Sequence, residues 1–125
     1  MKTRIKGDSL RFRLTQSEVR ALENGGRVTD LVTFSPSDKL EFSVEPWHLS
    51  IFNISFGESV VTVQIPSTVL QGWELDEREG LYETVDNGGE GLKLSIEKDF
   101  SCLKQRVGED ESDNFPNPLE GKEKC

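Results

Sequence analysis

Four basic side chains near the start of the chain, Arg4, Lys6, Arg11 and Arg13, stand at alternate positions of two short runs, RIK and LRFRL. Leu10, Phe12 and Leu14 alternate with the two later arginines, so a strand there has one apolar and one cationic face. Gly7-Asp8 between the runs is a turn dipeptide, and folding back about it sets all four cations on one face if the register allows. Groups so gathered hold phosphate or carboxylate oxygens through charge-assisted hydrogen bonds, which makes these four the candidate anion-binding residues. Like charges directly opposite one another destabilise a strand pair. Carboxylates on adjacent strands are therefore expected among them, and Glu41, Glu45 and Glu97 are the candidates.

Asn53, Thr62, Gln64 and Lys93 extend the same polar face. A sheet curled into a half-barrel would turn the set into a groove for an anionic metabolite, whereas an open sheet leaves it as the wet side. The open sheet is the expectation.

Other chemistry is thinner. Cys102 lies beside Lys98, Lys104 and Arg106, and nearby cations increase the thiolate fraction, so it is the candidate reactive thiol against the plainer reading of a packing cysteine. His48, the one histidine, follows Pro46-Trp47 without a nucleophile or carboxylate in a triad-like context. Zinc needs four ligands, and there is neither a C-x₂-C pair nor a His pair. Glu109–Asn114 is acidic but departs from the calcium-loop pattern, with Phe115 at the glycine position. Gly88-Gly89-Glu90-Gly91 is not followed by the helix and Lys-Ser/Thr of a phosphate loop. No metal and no cofactor is expected.

Length and composition bound the rest. The 125 residues suit one domain, and an apolar fraction of 34% supports a modest core rather than disorder. A net charge of −8 argues against a nucleic-acid surface. It is unevenly spread: residues 1–27 carry seven basic and three acidic side chains, while 74–90 carry seven acidic and one basic. No apolar run approaches a membrane span and the first residues lack a signal-peptide core, so the expectation is a cytoplasmic protein without membrane contact. Two cysteines, Cys102 and Cys125, are too few for a disulfide framework and are expected as free thiols.

The elements that position these residues follow from periodicity. Thr3–Lys6 and Ser9–Leu14 are the first strands. Thr15-Gln16-Ser17-Glu18 is a capping box, Leu14 and Val19 form its hydrophobic staple, and Asn24-Gly25-Gly26 ends the helix. Arg27–Phe34 and Lys39–Val44 are strands joined by a turn at Ser35–Asp38, and Pro46-Trp47-His48 breaks the second of them. Leu49–Ile65 reads as a hairpin about Gly57-Glu58, pairing Ile54 with Val61 and Phe52 with Val63. Pro66-Ser67 opens a short helix carrying Val69, Leu70 and Trp73. The stretch 74–91 is an acidic connection with an irregular strand at Leu81–Val85, and Leu92, Leu94 and Ile96 mark a last strand.

Two stretches, RIKGDSLRFRLTQSEV at 4–19 and IEKDFSCLKQRVGEDESDNFPNP at 96–118, resemble the two ends of a family of short, uncharacterised bacterial proteins, a domain of unknown function. The middle, Thr62–Trp73, is compatible with that family. The resemblance implies a stand-alone bacterial protein and transfers no activity.

The expected architecture is α+β: a mostly antiparallel sheet of six or seven strands, two short helices on one face and an extended C-terminal tail. Residues 1–98 form the domain; 99–125 form an acidic tail partly packed on it through Phe100, Leu103 and Phe115, with a disordered end. The function expected is a non-enzymatic binding or interaction module for a protein partner or a small anionic ligand. The alternative is a small enzyme using the cationic face on a phosphorylated or anionic metabolite. Oligomeric state is not legible.

Overall fold

A computed structural model describes residues 1–101 and 111–116. The strands are β1 (Lys2–Ile5), β2 (Ser9–Leu14), β3 (Val28–Ser35), β4 (Asp38–Trp47), β5 (Asn53–Gly57), β6 (Val60–Pro66), β7 (Gly80–Val85) and β8 (Leu92–Lys98). Helix α1 spans Gln16–Glu23 and α2 spans Ser67–Leu70. The expected single sheet is corrected to two four-stranded sheets, ordered β1-β2-β8-β7 and β3-β4-β6-β5. In each, two antiparallel hairpins meet through a central parallel pair, β2 with β8 and β4 with β6.

The two sheets repeat one strand topology. Each half of the chain is hairpin, helix, hairpin, and each sheet takes the first hairpin of one half and the second hairpin of the other. The registers correspond residue by residue. Ile5 opposite Leu10 in the first hairpin matches Phe56 opposite Val61 in the third, and Leu10 beside Leu94 matches Val61 beside Phe42. Leu22 and Trp73, both buried, each lie 13 residues after the first residue of β2 and β6 respectively. Only the alternation of apolar residues is shared, since packing requires the pattern rather than the identities.

The core lies between the sheets. Leu10, Phe12, Leu14, Leu94 and Ile96 face inward from the first sheet, and Phe42, Val44, Val63 and Ile65 from the second. Phe12 and Phe42 meet with ring centroids 6.2 Å apart. The helices add Val19, Leu22 and Leu70 to this core.

Helix α1 starts as the capping box predicts: the Glu18 amide donates to Thr15 Oγ1 (3.4 Å) and the Thr15 amide to Glu18 Oε1 (2.9 Å). Gly25 follows in the left-handed region at φ 87°. The segment 111–116 comes back over the N-terminal end of this helix. Asp113 accepts from the Ser17 amide (3.3 Å) and hydroxyl, a carboxylate placed where the helix dipole favours negative charge. Phe115 is buried, bridged to Phe100, and lies under the Lys98 ammonium at 5.1 Å. Leu103 falls outside the described residues.

Three local expectations are also corrected. The β5–β6 turn is Glu58-Ser59, one residue later, so Ile54 faces Val63 and Phe56 faces Val61. Both turn residues take positive φ, 52° and 63°, as a type I′ turn requires. The register moves by two, so the apolar face is preserved. Pro46 does not end β4, which continues to Trp47. β3 begins at Val28 opposite Val44, so Pro46 is unpaired on that side and pairs only with Ile65 of β6. Residues 80–85 form a complete strand, β7, paired along its length with β8.

Candidate functional site

The outward face of the first sheet carries its side chains in rows fixed by the registers. Lys2, Arg13, Glu97 and Gly80 lie across from one another, and so do Arg4, Arg11, Ser95 and Tyr82. Beyond them come Ser9, Lys93 and Thr84, with Lys6 beside the turn, its amide bonded to the Ser9 carbonyl at 3.0 Å. Alternation in β2 forces the division: Leu10, Phe12 and Leu14 are in the core, so Ser9, Arg11 and Arg13 must face out.

Arg4 stands directly opposite Arg11. With Lys6, Ser9 and Ser95 they line a concavity of about 230 Å³. Of the predicted four, Arg4, Lys6 and Arg11 meet there, while Arg13 lies in the adjoining row. Among the described residues neither Arg4 nor Lys6 has an ion-pair partner, whereas Lys2 reaches Asp99 at 3.2 Å.

The counter-charge comes from Glu97. Its carboxylate lies 3.3 Å from Arg11 Nε and 3.7 Å from Arg13 Nε, and it accepts from the Tyr82 hydroxyl at 2.8 Å. Partial burial and this hydrogen bond push the Tyr82 phenol up to about 12; the residue as a whole is 59% exposed, so the part held is the hydroxyl on Glu97. The Tyr82 ring lies across Gly80, where an added Cβ would sit 2.5 Å from the hydroxyl. Any side chain at that position would displace the tyrosine.

Glu41 and Glu45 do not join this network. Both belong to the second sheet, where Glu41 accepts from the Ser43 hydroxyl at 2.6 Å and Glu45 lies 3.7 Å from Arg27. Asn53, Thr62 and Gln64 are on that sheet too, with Asn53 donating to Gln64 at 3.0 Å. The polar groups therefore divide between two outer faces, and the space between the sheets is filled by core. Ser9, Ser95, Gly80 and Tyr82 were not singled out from the sequence. The Lys93, Ser95, Glu97 alternation in β8 was the available signal, and it lacked only the knowledge that β8 lies beside β2.

His48 is exposed at the end of β4, edge-on to Trp47 at 6.4 Å. Cys102 lies outside the described residues. Asp113 of the acidic segment is engaged by helix α1, and the Ser17 hydroxyl holds its carboxyl below the usual range. Among the described residues no group of three potential metal ligands occurs, and no helix is long and apolar enough to cross a membrane.

A comparison with curated proteins finds no match, nor does one with solved structures. Residues 1–119 match the model of a family of unknown function (DUF7009), and the chain belongs to that family.

Proposed function

We propose that the protein is a non-enzymatic binding module acting in the cytoplasm, and that its ligand is a small, multiply charged anion such as a phosphate compound. The observation that carries this is Arg4 opposite Arg11 at the rim of a concavity that also gathers Lys6 and two serine hydroxyls. Directly opposed like charges cost stability, and Glu97 offsets only the Arg11 and Arg13 side of the set. A bound oxyanion supplies the missing negative charge, takes guanidinium donors in bidentate fashion and uses the hydroxyls for its remaining oxygens. Cations and hydroxyls are a set that binds and orients rather than one that transfers protons at neutral pH.

The test is calorimetric titration of the full chain with inorganic phosphate and pyrophosphate, against a chloride control. Binding is expected, stronger for the more highly charged anion, and weakened about tenfold or more in the Arg4→Ala, Arg11→Ala double variant. Lys39→Ala, on the second sheet, is the control that should bind normally. No heat with either anion, or equal affinity in the double variant, refutes the reading.

A further inference from the structure

We infer that β3 is a dimerisation edge, which pairs antiparallel with β3 of a second copy of this chain about a two-fold axis at Leu31. The two sheets have four edge strands. β1 carries Lys2 and Arg4, β7 carries Glu83, and β5 is short and ends in Gly57; charge and brevity of this kind keep an open edge from pairing with other chains. β3 lacks them. It is eight residues long, and from Leu31 through Ser37 there is no charge. Leu31, Val32 and Phe34 are 52%, 41% and 70% exposed, so apolar side chains point out on both of its faces. Its hydrogen bond to β1 among the described residues, Thr3 Oγ1 to Asp30 Oδ2 at 3.5 Å, lies at the opposite half of the strand.

Charge and register favour a second copy as the occupant. An antiparallel pair centred on Leu31 sets Leu31 against its own copy, Thr29 against Thr33, and Asp30 against Val32. Leu31 then covers its own copy on one face, Phe34 falls toward Val28 on the other, and no like charges meet. At either end Arg27, just before β3, comes near Ser35, which follows the irregularity between Thr33 and Ser35. Arg27 is half-exposed, with Glu45 no closer than 3.7 Å, and the Ser35 hydroxyl donates to Asp38 at 2.7 Å. Each end therefore brings a cation toward a carboxylate, twice by symmetry. Such an interface is isologous and closes at the dimer, joining the two β3-containing sheets into one.

The experiment is sedimentation velocity on the full chain over a concentration series. The native chain is expected to dimerise. Leu31→Lys places two ammonium groups against each other at the axis and should weaken association about tenfold or more. Val32→Lys, at a neighbour that is 41% exposed, meets Asp30 of the other copy and should leave the dimer intact. Both changes lie on the surface, and unchanged circular dichroism verifies the fold. A monomeric native chain overturns the inference, and so does a dimer that survives Leu31→Lys or one that Val32→Lys abolishes. The anion reading is independent, because the cationic face is on the other sheet; Arg4→Ala and Arg11→Ala should not alter association.

Discussion

Replacing Glu97 by Gln removes one negative charge from the centre of the cationic face while keeping the size of the side chain. The carboxylate serves Arg11, Arg13 and Tyr82, with distances of 3.3, 3.7 and 2.8 Å. Its side chain is 19% exposed against 39% and 34% for the two arginines, so each ion pair is partly screened and contributes about 0.2–1 kcal/mol. The charged hydrogen bond from Tyr82 adds a comparable amount, part of which Gln retains. The expected loss is about 1–2 kcal/mol, or about 4–8 °C in Tm for a chain of this size. That loss is measured in chloride buffer. In phosphate both proteins gain by mass action, about 1.4 kcal/mol at ten times the dissociation constant, so only tighter binding by the variant narrows the gap between them. Glu97→Gln should also bind phosphate more tightly than the native chain, because the competing carboxylate is gone. Differential scanning fluorimetry in matched chloride and phosphate buffers, with calorimetric titration of both proteins, reads the two effects. Equal Tm losses in the two buffers, or weaker phosphate binding by the variant, would refute the reasoning.

Further expectations concern single groups. Tyr82 has its phenol raised to about 12 by burial and Glu97, so the folded state keeps this proton longer than the unfolded chain. The stability it contributes is full below about pH 10 and is lost as pH climbs toward 12; Tyr82→Phe should flatten that alkaline limb in urea denaturation at stepped pH. Asp113 is held low by the Ser17 hydroxyl, so its contribution is present above the ordinary carboxylate range and lost as pH falls below about 4. Asp113→Asn should flatten the acid limb of the same measurement. Glu58 and Ser59 both occupy the left-handed region in the β5–β6 turn. Glu58→Asn with Ser59→Gly supplies residues that this turn favours and should stabilise the chain by about 0.5–1 kcal/mol in urea titration.

The hairpin about the second turn illustrates how far local pattern reaches. Alternation in Asn53–Pro66 assigns Ile54, Phe56, Val61 and Val63 to one face whichever two residues make the turn, because a pairing shift of two preserves the face. The turn itself was misplaced because Gly57 is the residue best suited to positive φ, yet the chain gives those dihedrals to Glu58 and Ser59. Tertiary register outweighed the local preference. Pro46 was misread for a similar reason: whether a strand tolerates proline depends on which side its neighbour occupies, and β3 stops short of it.

At the candidate site, Arg11 and Arg13 on one face and the sharing of that face by Arg4 and Lys6 follow from β2 alternation and a two-residue turn, both local. Glu97 as their partner, rather than Glu41 or Glu45, depends on Leu10 lying beside Leu94 and Phe42 beside Val61. Those parallel pairings join hairpins from different halves of the chain, and nothing within either hairpin specifies its neighbour.

The sequence by itself determined the strand faces, the capped start of α1 and the cationic surface, since each depends on side-chain period or on contacts a few residues apart. Only the tertiary structure decided that there are two sheets, that they repeat one topology, and which charges meet. Those features follow from how two apolar faces with the same pattern cover each other, and the pattern alone is compatible with more than one pairing of strands.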